Sequence, residues 1–285
     1  METQIIQVPY DSGQKDARMG NGPAHLVRNG LGSLPDVRVS GVEVEQQPFE
    51  LGTTFRVLSE MAEKVRTAVQ SKRFPLVLAG NCISSVGTLA GLSAQSPAVV
   101  WLDAHADFNT PETTSSGFLD GMALATVTGR CWQNLAASVL GFRPVSEKNV
   151  VLIGARDLDP EERNLLNGSA VAAIDTAALR KGSVKDAVAP AVDALAAEQV
   201  YLHIDLDVLD LTEARVNQYS STGGLTLAEL LETVRVVAVE RPLAAAAITA
   251  YDPSQDKGGR ALRAATTVIK ELVAANQASF ARAHG

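Results

Sequence analysis

Eight short apolar runs punctuate this 285-residue chain, with helical stripes between them. The strand candidates are Gln4–Val8, Val37–Val44, Pro75–Ala79, Ala98–Asp103, Val150–Ile153, Ala170–Ile174, Val200–Asp205 and Ala245–Tyr251. Most lack polar alternation, as expected of strands covered on both faces. Thr54–Ser71 places Val57, Met61, Val65 and Val69 on one stripe at helical spacing. Val184–Ala197, Leu227–Val239 and Ala261–Ala281 read the same way. This alternation predicts right-handed crossovers and an α/β fold, a parallel sheet with helices on both faces. No repeat, low-complexity tract or flexible linker interrupts the pattern, so residues 1–285 are read as one domain.

In such a sheet, ligands bind beyond the carboxyl ends of the strands. Two acidic runs fall there: Trp101 to Asn109, reading Trp-Leu-Asp-Ala-His-Ala-Asp-Phe-Asn, and Tyr201 to Asp207, reading Tyr-Leu-His-Ile-Asp-Leu-Asp. Residues two apart on an extended chain project to the same side. Asp103, His105 and Asp107 are therefore expected to converge, as are Asp205 and Asp207. Facing carboxylates repel unless something positive sits between them, and a divalent metal is the simplest such object. Four Asp and one His suffice for two ions. Oxygen ligands with one imidazole suit Mn²⁺ or Mg²⁺ and tolerate Fe²⁺ or Zn²⁺. The bland alternatives are an exposed polar turn for the first run and a helix or turn cap for the second.

Gly80-Asn81-Cys82 follows another strand candidate. Cys82 reads either as a small buried filler or as a thiolate ligand that shifts preference toward Zn²⁺ or Fe²⁺. Composition narrows the partners. A formal charge of −7 and a pI near 5.2 argue against a nucleic-acid surface or an anionic membrane and fit a cytoplasmic protein. Two cysteines make no disulfide framework. The N-terminus lacks the basic and apolar segments of a signal peptide, and no apolar run reaches the roughly 20 residues needed to span a bilayer.

Asp-Ala-His-Ala-Asp, His-Ile-Asp-Leu-Asp and Gly-Gly-Leu-Thr (Gly223–Thr226) resemble the signatures of the ureohydrolases, the arginases, agmatinases and their relatives. Tyr10-Asp11-Ser12-Gly13-Gln14 with Gly20-Asn21-Gly22-Pro23, and Gly154-Ala155-Arg156-Asp157-Leu158-Asp159-Pro160, are similar to further arginase runs, all in family order. The resemblance implies a three-layer α/β/α fold around a parallel sheet of about eight strands, and a trimer or hexamer. It also implies a dinuclear Mn²⁺ centre where a metal-bridging hydroxide attacks a guanidinium carbon and urea leaves. Carried over by motif, Asp103 and Asp205 bridge both metals, Asp107 binds one, and His105 and Asp207 bind the other. Asn109, Ser116 and Asp159 face the amino-acid end of the substrate.

Three positions depart from that pattern. Cys82 stands where the family's Gly-Gly-Asp-His run carries its His, Asp120 where Ser-Gly-x-x-His-Gly carries a proton-shuttling His, and Ala250 where Val-Glu-x-Asn-Pro carries a guanidinium-gripping Glu. The Asn81-Cys82 run and the Asp107–Thr114 loop are similar to the hydroxyarginine hydrolase of D-cycloserine biosynthesis. Asp120 reads either as a loop residue bonding its own backbone or as a replacement carboxylate and general acid. The expected function is metal-dependent hydrolysis of a linear guanidino or amidino compound, arginine-like or N-hydroxyguanidino, with one or two metals per subunit. The alternative is an arginase-fold binding or regulatory protein with impaired turnover and an altered or mononuclear site. A two-metal phosphoesterase is a third option, with Arg156 as its candidate phosphate binder.

Overall fold

The unbroken apolar runs pair into a sheet. The computed structural model describes residues 2–284, and the side chains of residues 2–279. The strands are β1 (Thr3–Val8), β2 (Tyr10–Asp11), β3 (Gln14–Lys15), β4 (Val37–Gly41), β5 (Phe74–Ala79), β6 (Ala98–Leu102), β7 (Val150–Ile153), β8 (Ala172–Ile174), β9 (Val200–Asp205) and β10 (Leu243–Thr249). The helices are α1 (Gly22–Arg28), α2 (Glu50–Gln70), α3 (Ser84–Gly91), α4 (Ala123–Val127), α5 (Gln133–Ser138), α6 (Pro160–Asn167), α7 (Thr176–Leu179), α8 (Val184–Asp193), α9 (Leu227–Glu240) and α10 (Arg260–His284). Eight strands form one sheet in the order β4-β1-β5-β10-β9-β6-β7-β8, and every pairing in it is parallel. β2 and β3 form a separate antiparallel hairpin.

Successive residues of the central strands feed opposite layers. Trp101, Tyr201 and Ala247 join a core with Met61 of α2, Val86 of α3 and Leu124 of α4. Leu102, Ile204 and Ile248 join the other core with Leu26 of α1, Val188 of α8, Leu230 of α9 and Val268 of α10. The expected three-layer α/β/α architecture is what forms. On α10, Ala261, Ala264, Ala265, Val268, Ile269 and Leu272 are buried at the spacing of one helical face. Burying a Val or Leu contributes about 1.5–3 kcal/mol, which gives the stripes their role in docking these helices.

Differences from the sequence reading have local causes. The Val37 strand stops at Gly41, and beyond it Val42 N–H still reaches the sheet, at Gln7 O. β8 starts at Ala172, because Ala170 N–H goes to Glu147 Oε2 at 3.0 Å. The helix expected to reach Ala197 ends at Asp193, whose carbonyl Arg241 caps at 2.7 Å. α3 was not anticipated: all eight of its residues are buried, so no amphipathic stripe marks it. It lies against α2 so closely that a Cβ at Gly87 would come within 2.7 Å of Leu58 O.

Candidate metal centre and its pocket

Sheet order determines where the chemistry gathers. β5, β10, β9 and β6 are consecutive neighbours, with Thr249 opposite Asp205 and Leu102 opposite Ile204. Four adjacent strands thus end at one edge, and Cys82, Ala250, Asp205 and Asp103 lie at or just past those ends.

Both acidic runs converge, but not by strand alternation. β6 ends at Leu102, and a turn follows in which His105 N–H donates to Asp103 Oδ1 at 2.8 Å. Asp207 N–H likewise donates to Asp205 Oδ1 at 2.8 Å. The two runs use the same local device, an Asp side chain that accepts from the backbone two residues on. Asp107 adopts a left-handed backbone, φ 49°, which swings it away from an extended path.

Asp103 is central. Its Oδ2 accepts from Trp101 Nε1 at 3.0 Å, and its Oδ1 lies 3.4 Å from His105 Nδ1. The same ring nitrogen is 3.5 Å from Asp207 Oδ2. Burial opposes a charge on His105, but the Asp207 and Asp103 carboxylates outweigh it and lift the imidazole to about 10. Burial pushes Asp103, Asp107 and Asp205 above the ordinary carboxylate range, and their mutual repulsion adds to it. Cys82 Sγ donates to Asp205 Oδ2 at 3.1 Å, and burial with the surrounding carboxylates holds this thiol neutral. Asp120 accepts from Ile83 N–H at 2.7 Å and Asn81 Nδ2 at 3.0 Å. Burial raises it to about 7 against these hydrogen bonds.

Cys82, His105, Asp107, Asp120, Asp205 and Asp207 line a cleft of about 270 Å³. Seven of its lining residues are Asp or Glu, and among the described residues none is Lys or Arg. Asn109, Ser116 and Asp159 all reach it. Asp159 Oδ2 accepts from Asn109 Nδ2 at 3.2 Å and Ser115 Oγ at 3.1 Å, while Asp159 also caps α6. Phe118 and Tyr219, rings 5.7 Å apart, also line the cleft, with Ala250.

Sequence reasoning did not single out several members. Glu162 is buried and bonds Phe108 N–H at 2.9 Å; a Glu two residues after the Asp-Pro that opens α6 is a capping-box signal. Asn217 donates to Asp207 Oδ2 at 3.2 Å and Ala250 O at 3.0 Å. His203 is fully buried, stacked on Trp101 at 3.7 Å, and burial lowers it to about 3. Its place in the second acidic run was the available signal.

Arg156 is a correction. Its guanidinium is not available to a phosphate. It donates to the carbonyls of Gly154, Asp207, Val208, Leu209, Ser221 and Thr222 at 2.9–3.3 Å. The loop after β9 is thereby tied to the end of β7, and the phosphoesterase option loses its anion site. An Arg156→Met chain is expected to lose about 2–4 kcal/mol of stability, because several carbonyls lose a charged donor together. Denaturant midpoints check this; an unchanged midpoint would show that the loop holds without Arg156.

The donor set fits a divalent cation. Ligating atoms of Asp103, His105 and Asp207 lie within 4.8 Å of one another, and so do those of Cys82, Asp103 and His203. Asp107 Oδ2 is buried without a hydrogen-bond partner. A cation among these oxygens removes both the repulsion and the orphaned atom.

Fold and site together define a three-layer α/β protein with an acidic, metal-competent centre at the carboxyl edge of its sheet. A family model described as Arginase family matches residues 1–275, and the chain belongs to that family. The arginase of Bacillus subtilis (strain 168) is 28% identical over 287 residues, covering 94% of this chain and 96% of that protein. The arginase of Staphylococcus aureus (strain MRSA252) is 29% identical over 247 residues, covering 79% of this chain and 81% of that protein. The crystal structure of arginase from Bacillus cereus superposes with a TM-score of 0.86 at 27% identity, covering 95% of this chain and 98% of that one. Among the described residues, no helix is long and apolar enough to cross a membrane.

Proposed function

We propose that this protein hydrolyses a C–N bond in a linear guanidino or amidino compound, arginine-like or N-hydroxyguanidino, and releases urea or a urea derivative. The observation that carries this reading is a cleft walled by carboxylates, with no Lys or Arg in its lining among the described residues, and with Cys82, His105 and Asp207 of the metal-competent donor groups reaching it. Such a cleft attracts a cationic substrate and repels phosphates. Family membership supports the same reaction class.

Asp103, His105, Asp107, Asp205 and Asp207, with Cys82, are the proposed ligands. Mn²⁺ suits the oxygen-rich part of the set, while Cys82 opens it to Zn²⁺ or Fe²⁺. When bound, the metal supplies Lewis acidity and lowers the pKa of water at the site. The chain's own residues do the rest. Asn109, Ser116 and Asp159 hold the amino-acid end, and Asp159 opposes the ammonium group. The buried carboxylates Asp107 and Asp205 face the cationic carbon's end of the cleft. Water adds to the guanidinium carbon and gives up a proton, the bond to the alkyl nitrogen breaks, and that nitrogen takes up a proton, so the proton released by water restores the donor. Asp120, lifted to about 7, holds a proton near neutrality and borders the cleft, so it is the proposed donor. Its oxygens accept hydrogen bonds from the Asn81–Ile83 loop, which fix the carboxyl at the edge of the cleft.

Ala250 favours the second reading, a binding protein with impaired turnover. It lines the cleft where the resemblance places a guanidinium-gripping Glu, and its methyl group offers no charge-assisted bond. Its backbone is already left-handed, φ 63°, so Glu at this site adds no backbone strain beyond that of Ala. The deciding assay measures urea and hydroxyurea release from a panel of guanidino and N-hydroxyguanidino acids by the Mn²⁺-loaded protein. Turnover of at least one member is expected. Ala250→Glu should raise activity on unmodified guanidino acids by about 10–100-fold, the worth of one hydrogen bond between charged groups. Binding without product from any member, in both chains, would establish the second reading.

A further inference from the structure

Resting on the metal reading above, we propose that His203 is a metal ligand, and that Cys82, His203 and Asp103 form a nitrogen–sulfur position for Zn²⁺ or a similar borderline metal. It lies beside the harder oxygen-rich position of Asp103, His105 and Asp207. Four observations carry this. Ligating atoms of Cys82, Asp103 and His203 all lie within 4.8 Å of one another, and all three residues are buried. Asp103 alone belongs to both groups. Its two oxygens face different ways, Oδ1 toward His105 and Oδ2 toward the Trp101 indole.

The third observation is the ring's hydrogen bonding. His203 Nδ1 lies 3.0 Å from Ser85 Oγ and 3.1 Å from Tyr201 Oη, two hydroxyls that also touch each other at 3.0 Å. A proton on Nδ1 serves these oxygens and leaves the lone pair on Nε2, the arrangement that orients a metal-binding imidazole. The fourth is that this lone pair is poorly served. Among the described residues, Nε2 has only Thr249 Oγ1 at 3.4 Å, and that hydroxyl is also 3.1 Å from Cys82 Sγ and 3.4 Å from Ile204 O. One hydroxyl proton cannot satisfy all three. Trp101 stacks on the ring and bonds Asp103, so one side chain fixes the planes of two of the three ligands. Thiolate and imidazole donors select Zn²⁺, Co²⁺ or Fe²⁺ over Mn²⁺, so the two positions differ in the metal they prefer.

The test is X-ray absorption at the zinc edge on the full-length protein loaded with Zn²⁺ and Mn²⁺ together, with metal content measured per subunit. The expected spectrum shows one sulfur at about 2.3 Å and imidazole nitrogen at about 2.0 Å. In a His105→Gln chain, His203 is the remaining imidazole that the structure places at the centre, so the imidazole signal should persist. It should disappear in His105→Gln/His203→Gln, and His203→Gln alone should weaken Zn²⁺ binding at least about tenfold. Cobalt-loaded protein should show a thiolate charge-transfer band that Cys82→Ser removes. Zinc bound with sulfur but no imidazole in the His105→Gln chain overturns the role of His203. Zinc bound only by oxygen overturns the nitrogen–sulfur position while leaving the metal reading intact. Absence of any bound metal overturns both.

Discussion

An Asp103→Asn chain is expected to stay folded, to lose bound metal, and to turn over guanidino substrates on the order of a thousandfold more slowly, about 4 kcal/mol in barrier. Asp103 is shared by both groups of metal-competent side chains. Its oxygens accept from donors on two sides, Trp101 Nε1 and His105 N–H. Asparagine is the same size but has one acceptor, so its amide N–H₂ must face one of these donors. It also lacks the charge that a cation requires. The metal-free fold loses little, because the amide removes the cost of burying a carboxylate and its repulsion from Asp207, which offsets the lost attraction to His105. The loss of one hydrogen bond, about 1 kcal/mol, works the other way. Metal per subunit, urea release and thermal melts in chelator separate these effects. Full metal occupancy in the variant would remove Asp103 from the ligand set.

Much of this centre can be read along the chain because its proposed ligands come in short runs at strand ends, where a buried apolar run delivers a polar side chain to a fixed edge. The mechanism of convergence was not legible. Strand alternation and an Asp-to-backbone turn both bring Asp103 and His105 together, and the turn and the left-handed Asp107 emerge only in the folded chain. The fold was legible where burial is two-sided or one-striped, as in β6, β9 and α10. It was not where a helix is buried all round, as α3 is, since a uniform run carries no period. Arg156 shows the opposite failure. An arginine beside an acidic site invites a ligand role, yet its partners are six carbonyls, whose positions leave no trace in residue type. His203 lay unnoticed within a motif because its neighbours, Ser85 and Thr249, come from distant segments.

Stripping the metal should lower the thermal midpoint, and the loss should grow as pH rises. Asp103, Asp107 and Asp205 are raised above their ordinary value of 3.8, chiefly by burial, and Asp120 is raised to about 7. A carboxyl raised on folding favours the folded chain while it stays protonated. Above the ordinary value the unfolded chain ionises first, so stability declines as pH climbs through the folded values. His105 acts in the same direction. Raised from 6.5 to about 10, its protonated form stabilises the metal-free fold below about 6.5, and that contribution fades as pH rises through about 10. Metal-free protein should therefore weaken steadily from pH 5 to pH 8. Bound metal needs the same groups deprotonated, so its affinity moves the other way and rises with pH. At pH 8, with metal near a thousand times its dissociation constant, the gain is about 4 kcal/mol, on the order of 10 °C for a chain of this size. At pH 5 proton competition should erase most of it. Melts at both pH values, with chelator and with Mn²⁺, measure the gap directly. A gap that is absent at pH 8, or wider at pH 5, would mean that these buried carboxylates do not hold the cation.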